Sequence, residues 1–118
     1  MWDLDMFTGQ TLERLEQFSR SEFVTLQKLV PGDQVAVISP SSGLPGLFGH
    51  VFEAGLERIR SKFHLVPQEY PTTRLMGSSL EERARDVIAA FEDPRNKAVI
   101  TSIGGSDQIK LLKYLDPK

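Results

Sequence analysis

The chain has no cysteine in its 118 residues, which excludes disulfide stapling, a thiolate nucleophile and cysteine-bound metal. This absence also fits a reducing compartment. No charge dominates: 14 basic against 16 acidic residues leave a formal net charge of −2, so nothing draws the chain to nucleic acid or to an anionic membrane surface. No apolar run approaches the about 20 residues needed to cross a bilayer. The opening Met1-Trp2-Asp3-Leu4-Asp5 is acidic and lacks a signal-peptide core. Histidine is scarce: His50 and His64 are the only two, and neither stands at metal-ligand spacing from another donor. These absences predict a soluble cytoplasmic protein with no cysteine-bound metal and no nucleic-acid or membrane partner.

What is present is an ordinary globular composition, 40% hydrophobic and 25% charged, in a chain long enough for one small domain. Leu12, Leu15, Phe18, Phe23, Leu26 and Leu29 recur at helical spacing, with Glu13, Arg14, Glu16, Gln17 and Arg20 between them. Residues 1–29 therefore read as a helical N-terminal extension. Pro31-Gly32-Asp33 is a turn, and from there the pattern changes. Val35-Ala36-Val37-Ile38 is an apolar run of strand length. A helix from about residue 48 to residue 62 is expected to bury Phe48, Val51, Phe52, Leu56, Ile59 and Phe63. A second strand starts at Leu65-Val66. Ser79-Leu80-Glu81-Glu82 is a capping box that opens a helix with an apolar face of Leu80, Ala84, Val87, Ile88 and Phe91, and Pro94 stops it. Ala98-Val99-Ile100-Thr101 is a third strand. After Gly104-Gly105 a last helix is expected to bury Ile109, Leu112 and Leu115.

Strands alternating with helices predict an α/β fold, a partial parallel sheet with flanking helices, of flavodoxin-like or glutamine-amidotransferase-like type. Three strands make a narrow sheet with an edge that further chain should cover, so residues 30–118 read as an incomplete domain. In such sheets ligands bind in loops at the carboxyl ends of the strands. Here these loops are residues 39–49 and 102–108.

The first loop carries Gly43, Gly46 and Gly49, a spacing that matches neither a dinucleotide fingerprint nor a Walker loop, and reads as a turn whose glycines let the chain bend. The second runs from a strand through Ser102-Ile103-Gly104-Gly105-Ser106-Asp107-Gln108 into a helix, the layout of a nucleophile elbow. Amides at such a bend can stabilise an oxyanion. By layout alone the segment reads first as a plain strand-to-helix turn with Ser106 or Asp107 as N-cap.

Taken in order, several segments resemble the LD-carboxypeptidase and microcin C immunity family of serine peptidases. They are Gly32 to Gly43, Glu69-Tyr70-Pro71-Thr72-Thr73-Arg74, Glu82-Arg83-Ala84-Arg85-Asp86, Ala98 to Gly105, and Leu111-Leu112-Lys113-Tyr114-Leu115-Asp116. The resemblance implies an α/β N-terminal domain that carries the nucleophilic serine on an elbow after a Gly-Gly, here Gly104-Gly105, and a C-terminal domain that adds a glutamate and a histidine. It implies no cofactor, substrate loops that include Ser39, Ser41 and Ser42, and dimers as a common state. Its substrates would be the L,D amide of murein peptides during wall recycling, or the bond joining an acyl-aminoacyl group to a nucleotide-like toxin.

One departure is chemical. The family serine falls three places after the second glycine, and that place holds Gln108. A carboxamide donates and accepts hydrogen bonds but does not act as an acyl-transfer nucleophile. Ser106, two residues earlier, is the only nearby substitute. The resemblance also leaves the glutamate and histidine outside these residues. The chain is thus expected to be a truncated member, inactive alone, completed by a C-terminal half or paired as a homodimer. A non-catalytic peptide- or nucleotide-binding module on the same scaffold is the alternative.

Overall fold

A computed structural model describes residues 25–115. The element order is strand β1 (Gln34–Ile38), a short 3-10 turn (Leu44–Gly46), helix α1 (Gly49–Ser61), strand β2 (Val66–Glu69), helix α2 (Leu80–Glu92), strand β3 (Asn96–Thr101) and a 3-10 segment (Ser106–Tyr114). Most of the helical extension expected at residues 1–29 lies outside the described residues. Its described end, residues 25–29, is exposed and carries no regular secondary structure, which corrects the helical reading of Leu26 and Leu29.

All three strands are parallel, in the order β2-β1-β3. The α/β expectation holds. β1 pairs from Gln34↔Val66 to Val37↔Glu69 on one side and reaches Ile38↔Thr101 on the other, with one irregularity after Gln34. β1 is central because it is the most apolar strand, and it is buried from Val35 to Ile38. Its side chains alternate between faces. Ala36 and Ile38 meet Ala90 of α2, with Tyr70, Val87 and Val99 around them. Val37 lies on the other face, in the groove that α1 lines with Phe52 and Leu56.

The two edges differ. β2 is four residues long and contains Pro67, which withholds an N–H and suits an edge strand. β3 is six residues long, has no proline, and leaves Ile100 exposed.

The helices deviate from the sequence pattern in instructive ways. In α1 only Leu56 is buried, while Phe48, Val51 and Phe63 are exposed. In α2 the buried residues are Arg83, Ala84, Asp86 and Ala90, and Phe91 is 72% exposed. The face of α2 that meets the sheet is thus polar at its first two turns, because it caps the loops at the strand ends and not only the strands. The expected last helix is a 3-10 segment in which Leu111 alone is buried, with Ile109 and Leu112 exposed.

Candidate active site

Parallel strands connected through α1 and α2 bring the ends of β1, β2 and β3 to one rim. Because β1 leads to β2 on one side and β3 lies on the other, the strand order reverses between β1 and β3. The crevice outside that switch point is where open α/β sheets bind ligands. The segments following β1 and β3, namely 39–43 and 102–108, flank it.

Hydroxyls hold the floor of this rim. The Ser39 Oγ–H donates to the Thr73 carbonyl at 2.8 Å and lies 2.6 Å from Ser102 Oγ. Ser39 has one proton, already given to Thr73, so Ser102 is the donor between the two serines. Thr73 in turn donates its hydroxyl to Val37 O at 3.0 Å and accepts from the Tyr70 amide at 3.2 Å. The Ser102 amide donates to Ile38 O at 2.9 Å, which extends the β1–β3 ladder to the bend. Asp86 anchors the neighbouring loop, accepting from the Thr72 amide at 2.7 Å and the Thr72 hydroxyl at 2.6 Å. Ser39 is therefore engaged inside the rim, whereas Ser42 is half-buried.

The bend itself is at Gly104-Gly105. Gly105 has φ 157° and ψ 156°, a region that glycine occupies and other residues avoid. A β-carbon there would also sit 3.3 Å from the Ser41 side chain. Ser41 Oγ points at the Gly105 carbonyl and at Gln108 Oε1, each at 3.3 Å. The structure thus brings Ser41, Gly105 and Gln108 together. Gln108 is exposed, with its amide 3.4 Å from Gly105 O. Ser106 is exposed as well, but a 3-10 segment turns its side chains about 240° and advances about 4 Å over two residues, so Ser106 and Gln108 face different ways. Neither Ser106 nor Asp107 is the N-cap. Gly105 takes that position and no side chain caps the segment, because the tight bend moves the start of the 3-10 turns one residue earlier than an ordinary helix start.

The glycines of the first loop have another purpose than bending. A side chain at Gly43 would run into the backbone of Leu75, and one at Gly46 into the carbonyl of Arg74. Neither has a positive φ. They are small so that residues 72–75 can lie against the loop. Arg74, in that stretch, bonds Glu69 (2.7 Å) and Glu53 (2.6 Å) and stacks on Phe52. The hydrogen bonds that Arg74 donates to Glu69 first and Glu53 second raise the guanidinium pKa further above its already high value.

Sequence reasoning assigned no role to Arg83. It is 7% exposed and reaches from α2 to both rim loops. One terminal nitrogen donates to Pro40 O (2.9 Å) and Ser41 O (2.6 Å); the other donates to Asp107 Oδ2 (3.1 Å). Its Nε is buried without a partner among the described residues. The available signal was a charge standing among apolar-face positions of α2, one turn after the capping box. His50 and His64 are exposed, and neither hydrogen-bonds to a rim side chain among the described residues. Among the described residues no cluster of His, Asp and Glu is arranged to hold a metal, and no helix is long and apolar enough to cross a membrane.

Fold and rim together define a parallel α/β domain whose loops after β1 and β3 meet at a glycine bend. Residues 35–118 match the model of the LD-carboxypeptidase N-terminal domain, and the chain belongs to that family. It is 33% identical over 92 residues to the "Putative carboxypeptidase YocD" of Bacillus subtilis (strain 168), covering 75% of this chain and 28% of that protein. It is 31% identical over 102 residues to a "Putative carboxypeptidase" of Treponema pallidum (strain Nichols), covering 82% of this chain and 30% of that protein. A solved structure of the microcin C7 self immunity protein MccF, without ligand, superposes with TM-score 0.71 at 20% identity over 80% of this chain and 29% of that one, a likeness of fold. The chain thus spans about three-tenths of the length of the relatives it matches.

Proposed function

We propose that this chain is the N-terminal part of an LD-carboxypeptidase-type serine peptidase site, and that by itself it does not hydrolyse the family's substrates. The carrying observation is at residue 108: the third position after Gly105 holds a glutamine whose carboxamide engages Ser41. In the intact family the serine of this elbow attacks the scissile carbonyl, a histidine takes its proton, and a glutamate orients the histidine, all within hydrogen-bond reach. Here Gly104 and Gly105 would supply the oxyanion side of the bend, and Ser41 and Ser42 the substrate loop. The second hydroxyl, Ser106, faces away from the position of Gln108.

The substrate classes are a murein L,D-peptide amide or an acyl-aminoacyl-nucleotide bond, and the expected setting is cytoplasmic. The partner is a C-terminal half bearing the glutamate and histidine, with a homodimer as the other assembly. Reconstitution tests this. The C-terminal half of a full-length relative, mixed with the Gln108→Ser chain, is expected to release the terminal residue of a murein tetrapeptide. The same half mixed with the unaltered chain is expected not to. Equal turnover by both mixtures would remove residue 108 from the site.

A second reading draws on the same residue. A glutamine on an exposed rim can recognise a peptide or nucleotide by hydrogen bonds without cleaving it. Calorimetry with murein peptides and aminoacyl-nucleotides separates the two: heat of binding to the unaltered chain, reduced by Gln108→Ala, supports the binding module.

A further inference from the structure

We propose that Arg83 is the positioning residue of this site: from α2 it fixes the spacing between the loop after β1 and the bend after β3, and so sets where residue 108 stands over the rim. The inference rests on the reading of residues 104–108 as the elbow.

The two loops come from strands that are neighbours, yet β-ladder bonding ends at Ser102. At that residue the Ser39–Ser102 hydroxyl contact, 2.6 Å, still joins the two loops. Further along the bend, among the described residues, the only direct side-chain link from one loop to the other is Ser41, and both of its contacts are long at 3.3 Å. One hydroxyl proton cannot serve both acceptors well. The shorter ties run through Arg83. Its two terminal nitrogens are donors in a fixed planar fork, so the carbonyls of Pro40 and Ser41 and the carboxylate of Asp107 are held at a distance set by the guanidinium itself. Asp107 immediately precedes Gln108 and also pairs with Lys110 at 2.7 Å, within its own segment. The Lys110 contact stiffens the 3-10 turn, and the Arg83 contact fastens that turn to the rest of the fold. Among the described residues Arg83 Nε is left without a partner, so within them the side chain is arranged around these loop contacts and not around its own satisfaction.

A lysine cannot substitute. Its single ammonium can meet the Pro40 and Ser41 carbonyls but lacks the second arm that spans to Asp107. A methionine fills similar volume with no donor. Fastening therefore makes a graded forecast that packing does not.

The test is amide hydrogen exchange by NMR on the chain itself, comparing Arg83→Met, Arg83→Lys and Asp107→Asn with the parent. Arg83→Met is expected to speed exchange at residues 41–43 and 104–108 by tenfold or more, relative to amides of β1. Arg83→Lys is expected to restore protection at 41–43 while leaving 104–108 fast. Asp107→Asn removes a partly exposed carboxylate, keeps the fold, and should loosen 104–108 alone. Parent-like exchange at 104–108 in Asp107→Asn would overturn the proposal, as would full rescue by methionine or global loosening that spares neither loop nor strand. Failure of the peptidase reading would show in the reconstitution assay and leave these exchange patterns unchanged, so the two are told apart.

Discussion

At the scale of single residues, the rim depends on groups whose chemistry can be tested one at a time. Gly105 is one. Gly105→Ala should cost about 1–3 kcal/mol, because an ordinary residue is strained at that backbone geometry, and its methyl would press on Ser41. Gly104→Ala, which meets nothing within 4 Å, should change stability by less than about 0.5 kcal/mol. Urea denaturation of the two variants checks the contrast. Asp107 offers a test by pH. Hydrogen bonds from Lys110 first and Arg83 second hold its carboxyl below the usual carboxylate range. A carboxyl depressed on folding binds fewer protons in the native state than in the unfolded one, so it stabilises the fold above its unfolded pKa. That contribution is lost as the pH falls through the depressed native value. The difference in denaturation midpoint between the parent and Asp107→Asn should therefore be present at neutral pH and vanish in acid. A difference that grows in acid would refute the assignment.

At the scale of elements, the strands and helix spans were readable because their signals are local. β1 announces itself as a four-residue apolar run after a turn. α2 is bounded by its capping box, in which the Glu82 amide donates to Ser79 Oγ at 3.1 Å and the Ser79 amide to Glu82 at 2.9 Å. Ser79→Ala should cost about 1 kcal/mol in the same denaturation assay. Which side of each helix is covered was less readable, because that depends on neighbours far along the chain. Periodicity alone placed Phe91 inside and gave Arg83 and Asp86 no burial; the rim loops they serve lie on other elements. Asp86→Ala should cost about 1–3 kcal/mol, since it leaves the Thr72 amide and hydroxyl without their acceptor. The two loop glycines show the same limit. Their presence was visible, but their reason, the passage of residues 72–75 alongside, was not. The 3-10 character of Ser106–Tyr114 escaped detection because the spacing of Ile109, Leu112 and Leu115 suits three residues per turn as well as a helical stripe.

For the molecule as a whole, the distribution of apolar surface is uneven. The β2 edge is short and blunted by Pro67, while among the described residues no strand pairs with the outer edge of the six-residue β3, where Ile100 is exposed. On either face of β3 an apolar groove is open, one lined by Phe48, Val51 and Ile103, the other by Phe91, Ile109 and Leu112. An open strand edge flanked by apolar grooves invites pairing. Sedimentation of the isolated chain should show concentration-dependent association that Ile100→Lys reduces. An unchanged monomer at all concentrations would contradict this.

The proposed role of the chain depends on residue 108 occupying the nucleophile's place, where this chain has a glutamine. A serine-directed fluorophosphonate, followed by peptide mass spectrometry, measures this directly in complexes with a relative's C-terminal half. Label on residue 108 of the Gln108→Ser chain, and no label on Ser41 or Ser106 of the unaltered chain, is the predicted result. Covalent label on Ser106 of the unaltered chain would contradict it.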